Sequence, residues 1–240
     1  MDRALWADLL RLLRRCEQDE AVRGLVFQSG LERPVFTAGN DLSELYAPGT
    51  SRERYLEFWR VSTEFLAALY RTRLSTAAAL PGYTPAGGCV LALCCDLRVA
   101  AAGGSMGLNE PQLGIPVPRR WAELMGRVAG QGAAEQLLLP GRMVPVQEAL
   151  RLGLVQAVVP SREEVLPKAL VLVREQLALP EGGRAATKAL LRSDFGRAWE
   201  AGWQEEAEFG WEFLARPETV AALGRFMGRL GTGGGPKAKL

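Results

Sequence analysis

With 240 residues, 48% of them hydrophobic and 23% charged, the chain has the composition of a soluble globular protein, long enough for one large domain or two small ones. Its 29 basic and 27 acidic residues are well mixed, and no apolar run reaches the ~18 residues of a bilayer span, so neither a nucleic acid nor a membrane is an expected partner. The absence of histidine excludes Ser-His-Asp and Cys-His catalysis and every histidine-containing metal site.

Residues 4–18 predict an amphipathic helix, with Leu5, Leu9, Leu12 and Leu13 on one stripe and Arg11, Arg14 and Arg15 opposite. "RGLVFQSG" follows as a short strand that ends at Gly30, and after the loop "LERPVFTAGNDL" a long helix is expected over 51–73. "LSTAAALPG" reads as a second strand broken by Pro81-Gly82, "GGCVLALCCD" as an apolar helix opening on two glycines, and "LRVAAAGG" as a third strand. Helices are expected near 118–129 and 131–139, then "VPVQEALRLG" and the strand "LVQAVV". From Glu163 onward the pattern is helical, over 163–178, 182–194, 196–214 and 217–230. Strands alternating with helices, then a helical tail, predict an α/β core over 1–160, a helical region over 161–230 and a Gly-rich flexible tail over 231–240.

Two stretches carry candidate chemistry. In "SMGLNEPQLGIPVP" (105–118) Glu110 is the one ionisable side chain in an apolar run. Such a residue is either a solvated cap or, if shielded from water, a carboxyl of raised pKa fit for acid/base work. Asn109 beside it either orients that carboxylate or caps the following turn. Gly39 in "VFTAGNDL" allows a tight turn that aims the Asn40 amide into a pocket. Gly87 and Gly88 open an apolar helix whose first amides lack intrahelical partners. Two such amides converging on one point make an oxyanion hole, whereas each glycine alone is a turn or cap. Cys16, Cys89, Cys94 and Cys95 have no zinc-type spacing and are expected as free thiols without a chemical role.

"FTAGNDLSEL", "PAGGCVLALCCDLRVAA", "SMGLNEPQLGI" and "VQEALRLGLVQAVVP" occur in an order and at intervals that resemble the crotonase superfamily, the enoyl-CoA hydratases and isomerases. The likeness covers roughly residues 4–230 and leans toward the mitochondrial-type Δ3,Δ2-enoyl-CoA isomerases. It implies a spiral of ββα units, an acyl-CoA thioester as substrate, and an oxyanion hole from the amides of Asn40 and Gly87. CoA arrives as part of that substrate and no further cofactor or metal is implied. The hydratases' two catalytic glutamates match Glu110 and the position of Val90. Valine cannot activate water, so the resemblance points to an isomerase in which Glu110 alone moves a proton from C2 to C4 of a 3-enoyl-CoA, yielding trans-2-enoyl-CoA in fatty-acid β-oxidation.

On the same resemblance Ala38, Gly39, Gly88 and Leu42 belong to the substrate site, with Leu45, Trp59 and Phe65 as further candidates for the acyl tunnel. Asp41 and Asp96 are read as structural. Lys188 meets either a CoA phosphate or, more simply, solvent. A homotrimer through the C-terminal helices is implied as well. Relatives open with a β-hairpin ahead of the first helix here, so the alternatives are a non-catalytic truncated paralogue or another crotonase reaction such as hydration. The terminal Ala-Lys-Leu resembles a peroxisomal import tripeptide and sets a peroxisomal expectation, with the mitochondrial matrix as the alternative.

Overall fold

A computed structural model describes residues 1–231; the Ala-Lys-Leu tripeptide and the rest of the tail lie outside the described residues. The first helix, α1 (Arg3–Gln18), starts where the Asp2 carboxylate accepts the Leu5 amide at 2.8 Å. Its buried face is Trp6, Leu10 and Leu13, while Leu5 and Leu12 are exposed, so the expected leucine stripe is off by part of a turn. Trp6 sets the rotation: its ring packs 5.5 Å from Phe65, and its indole N–H donates to Asn40 Oδ1 at 3.2 Å.

Strand β1 (Gly24–Gln28) leads through two short 3-10 turns, 42–44 and 47–49, to α2 (Arg52–Arg71), capped by Ser51 Oγ on the Arg54 amide. Then β2 (Ser75–Leu80) turns at Pro81-Gly82 into β3 (Tyr83–Pro85), which runs straight into α3 (Ala86–Cys94). A second such unit follows: β4 (Leu97–Ala101), a turn at Gly103 with φ +82°, and β5 (Ser105–Gly107). After helices α4 (Arg119–Ala129) and α5 (Gln131–Leu138) comes β6 (Val144–Pro145), then α6 (Val146–Arg151) and β7 (Ala157–Val159). The chain continues with α7 (Val165–Leu177), α8 (Glu181–Ala201), α9 (Trp203–Leu214) and α10 (Pro217–Gly231).

The strands fall into two sheets because the chain changes sheet at each glycine corner. One is all parallel, in the order β1-β2-β4-β7; the other has β3 parallel to β5 and β6 antiparallel to it. Period-two alternation along β2 divides the interior: Ala78 and Leu80 enter the main core with α1, α2 and α3, while Ala77 and Ala79 face Val165, Ala169 and Val173 of α7. The three short strands β3, β5 and β6 have no pattern long enough to be legible in sequence. The helix break expected near residue 195 lies instead at Gly202, the residue between α8 and α9. Gly196 stays helical because α8 crosses the Arg71 side chain there, and a Cβ would stand 2.5 Å from Arg71 Cγ. The four cysteines are free.

Candidate active site

Two loops meet where the first sheet crosses into the second. In the 37–41 loop Gly39 has φ +83°, its amide donates to Thr37 Oγ1 at 3.1 Å, and its carbonyl accepts from the Met1 ammonium at 2.5 Å. Asp41 caps the next turn, accepting the Ser43 amide at 2.9 Å, which is the structural role expected of it. Buried Glu44 clamps that turn to α2 through Arg54 Nε at 2.9 Å.

This loop lies directly on the N-terminus of α3. A Cβ on Gly39 would be 3.2 Å from Ala86 Cβ and 3.9 Å from the Gly87 nitrogen, a Cβ on Gly87 2.8 Å from Asn40 Oδ1, and one on Gly88 2.3 Å from Thr37 Oγ1. All three positions therefore need glycine for the backbones to approach. Ala86 holds φ +48°, a left-handed conformation costly to an alanine, at the point where strand becomes helix. The Asn40 amide has no hydrogen-bond acceptor among the described residues. The Gly87 amide, second in its helix, has no intrahelical acceptor. Two backbone donors without an acceptor thus belong to segments in close contact, the second at the positive end of a helix dipole, where negative charge is favoured.

Glu110 is delivered by β5 and opens a 3-10 turn over 110–113, closed by Gly114 at φ +78°. Its side chain is 5% exposed, and Oε2 has no hydrogen-bond partner in the described residues. Burial pushes its carboxyl up to about 7, against a smaller opposing effect of its own amide. The solvated-cap alternative is thereby excluded. Burial, and then the nearby Glu110 charge, raise the Cys89 thiol, which keeps that sulfur protonated. The Asn109 side chain makes no capping bond to the turn, and its Oδ1 is buried without a partner.

A cavity of about 740 Å³ joins the two features. Its wall includes Ala38, Asn40, Leu42, Ala86 and Glu110, with Leu45, Trp59 and Ile115 among its apolar members. Gly39, Gly87 and Gly88 sit behind that wall, shaping it through the backbone. Two expectations need correction. Phe65 is not a cavity residue; it is fully buried between Trp6 and Phe27. Lys188 meets neither phosphate nor solvent, because its ammonium is buried against Asp96 at 2.8 Å and the Leu74 carbonyl at 2.8 Å. Asp96 also pairs with Arg192 at 2.9 Å, so it ties α8 to the sheet.

Val90 is fully buried in α3 and is not among the residues that line the cavity. Sequence reasoning missed Ala86 and the two carboxylates that α9 adds to the wall, Glu205 and Glu206. No signal marks Ala86, since positive φ is expected of glycine, and Glu206 is hidden in the acidic run "EEAE". Among the described residues no cluster of acidic or sulfur ligands fit for a metal occurs, and no helix is long and apolar enough to cross a membrane.

The family model described as enoyl-CoA hydratase/isomerase matches residues 1–227. Human enoyl-CoA delta isomerase 1, mitochondrial, is 38% identical over 188 residues, covering 77% of this chain and 61% of that protein. The Rattus norvegicus protein of the same name is 38% identical over 183 residues, covering 75% and 62%. The crotonyl-CoA hydratase of Syntrophomonas wolfei is 32% identical over 185 residues, covering 75% and 69%. The match therefore spans about three fifths of the length of these isomerases. Among solved structures, human mitochondrial delta3-delta2-enoyl-CoA isomerase superposes with a TM-score of 0.90 at 32% identity, covering 97% of this chain and 90% of that one. A Bacillus halodurans enoyl-CoA hydratase gives 0.84 at 25%, covering 93% and 90%. The chain belongs to the enoyl-CoA hydratase/isomerase family and has the mixed α/β crotonase fold.

Proposed function

We propose that this chain is a Δ3,Δ2-enoyl-CoA isomerase. The observation that carries the reading is Glu110: a buried carboxyl with one unpartnered oxygen, pushed up to about 7, in the wall of a largely apolar cavity. In the proposed reaction the thioester oxygen lies between the amides of Asn40 and Gly87, which with the α3 dipole stabilise the dienolate formed when the C2 proton leaves. Glu110 takes that proton and returns it to C4. A pKa near neutrality suits both halves of this transfer, because the group is neither too weak a base nor too weak an acid. The leaving proton and the returning proton are the same, so no water is consumed.

Valine at position 90, fully buried, leaves nothing there to activate water, which disfavours hydration although hydratases are among the relatives. The substrate brings its own CoA, and no other cofactor is proposed. The isomerases above are named as mitochondrial, which favours a mitochondrial matrix location; the peroxisomal expectation gains no support from them. Assembly as a homotrimer through the C-terminal helices belongs to the same proposal, with light scattering as its check.

The test is to supply the purified chain separately with a 3-enoyl-CoA and a trans-2-enoyl-CoA. The expected result is conversion of the first to trans-2-enoyl-CoA with no 3-hydroxyacyl-CoA from either. Hydration of the second at a rate matching or exceeding isomerisation overturns the proposal.

A further inference from the structure

Asn40 is gripped from one side by Met1 and α1. The Gly39 carbonyl accepts from the Met1 nitrogen at 2.5 Å, the Asp41 amide donates to the Met1 carbonyl at 3.0 Å, and the Asn40 side-chain oxygen accepts the Trp6 indole N–H at 3.2 Å. The peptides on both sides of Asn40 are therefore held, as well as its side chain. No cis peptide bond occurs among the described residues, so the Asn40 N–H points opposite to the Gly39 carbonyl and away from Met1.

Of these three contacts only the last is made by a side chain of α1, so it is the one that the choice of residue decides. Trp6 is fully buried with its ring packed 5.5 Å from Phe65, which makes it a fixed post for the loop. An indole nitrogen only donates, and this settles that the oxygen of the Asn40 amide, not its nitrogen, faces α1.

The same oxygen lies over the start of α3. A Cβ on Gly87 would stand 2.8 Å from it and 3.2 Å from Asn40 Cγ. That Cβ site and the Gly87 nitrogen are bonded to one Cα, so rotation of the Asn40 side chain carries its oxygen toward the Gly87 amide. Asparagine is among the best residues for capping a helix, and α3 starts after Pro85 with no side-chain cap. Yet the Asn40 oxygen bonds to Trp6 and leaves the Gly87 amide open. Once capped, that amide would have no N–H to offer a substrate.

We propose that Trp6 is a positioning residue: it holds the Asn40 oxygen off the Gly87 amide, and so keeps that amide and the Asn40 N–H open to the thioester oxygen. The inference rests on the reading of these two amides as the oxyanion hole.

The experiment measures kcat and KM on a 3-enoyl-CoA for wild type, Trp6→Phe, Asn40→Leu and the double variant, with urea unfolding to confirm that each is folded. Phenylalanine keeps a ring against Phe65 and removes the N–H. In Trp6→Phe kcat should fall about 10²-fold, as when one oxyanion donor is lost, with KM within about threefold of wild type. The double variant should be at least about tenfold faster than Trp6→Phe, because leucine has no oxygen with which to cap α3. Asn40→Gln asks the same question without touching the core. Its longer side chain keeps an oxygen but overshoots the Trp6 N–H, so its kcat should lie below that of Asn40→Leu. If Trp6→Phe does not fold, that comparison decides alone. A folded Trp6→Phe with wild-type kcat, a double variant as slow as Trp6→Phe, or an Asn40→Gln as fast as Asn40→Leu overturns the inference while the proposed function stands. If wild type converts no 3-enoyl-CoA, both are overturned.

Discussion

Glu110→Gln keeps the shape of the side chain and removes its proton, and the site fixes the sign of the effect on stability. Burial lifts this carboxyl from 4.5 to about 7, so between those values the folded protein holds a proton that the unfolded chain has released. The stabilisation from that proton is fully present below about pH 4.5 and is lost as the pH rises through about 7. At 1.36 kcal/mol per pH unit the loss amounts to about 3 kcal/mol. Glutamine has no proton to lose, so its stability relative to wild type climbs by about 3 kcal/mol between about pH 4.5 and pH 8 and is level on either side. In a chain of this size that is a gain in Tm of about 6–12 °C. Urea unfolding of both proteins across this range measures the difference directly, and every other titrating group cancels. A difference that does not change with pH would refute the claim that Glu110 is held in a water-poor site.

The same shift predicts that kcat/KM for isomerisation falls as one proton binds below an apparent pKa of about 7; a profile flat from about pH 5 to 8 would assign the base elsewhere. Gly88→Ala puts a Cβ 2.3 Å from Thr37 Oγ1, the acceptor that sets the Gly39 turn, so a roughly 10²-fold loss in kcat/KM is expected alongside a cost of about 1–3 kcal/mol. Unchanged kinetics there would mean that the 37–41 loop does not position the reacting oxygen. Lys188→Met breaks a buried ion pair with Asp96 and should cost about 3 kcal/mol in chemical denaturation while leaving KM for the CoA ester unchanged; a raised KM with full stability would restore the phosphate role.

The elements that sequence made legible are those whose own residues decide them. The Asp2 and Ser51 caps, the wholly buried "STAAAL" of β2 and the Pro81-Gly82 corner carry local chemistry strong enough to place α1, α2 and β2 within a few residues. Strands of two or three residues, such as β3, β5 and β6, exist only because the neighbouring backbone is there to pair with, so no periodicity announces them. Which face of an amphipathic helix is buried also depends on the partner. Trp6 rather than the leucine stripe turns α1, and Glu205 and Glu206 face the cavity from α9 while Glu208 pairs with Arg52. Lys188 reads as solvated because nothing near it in sequence shows Asp96, which lies 92 residues away. Glu110 was legible because its surroundings in sequence are also its surroundings in space.

The decisive experiment is the rate at which Glu110→Gln converts a 3-enoyl-CoA to trans-2-enoyl-CoA, beside wild type and with acyl-CoA affinity measured for both. If Glu110 is the single acid/base, wild type turns over, the variant binds as well, and its kcat falls about 10²–10⁴-fold. A variant that retains wild-type kcat would contradict the assignment of the reaction to this carboxylate.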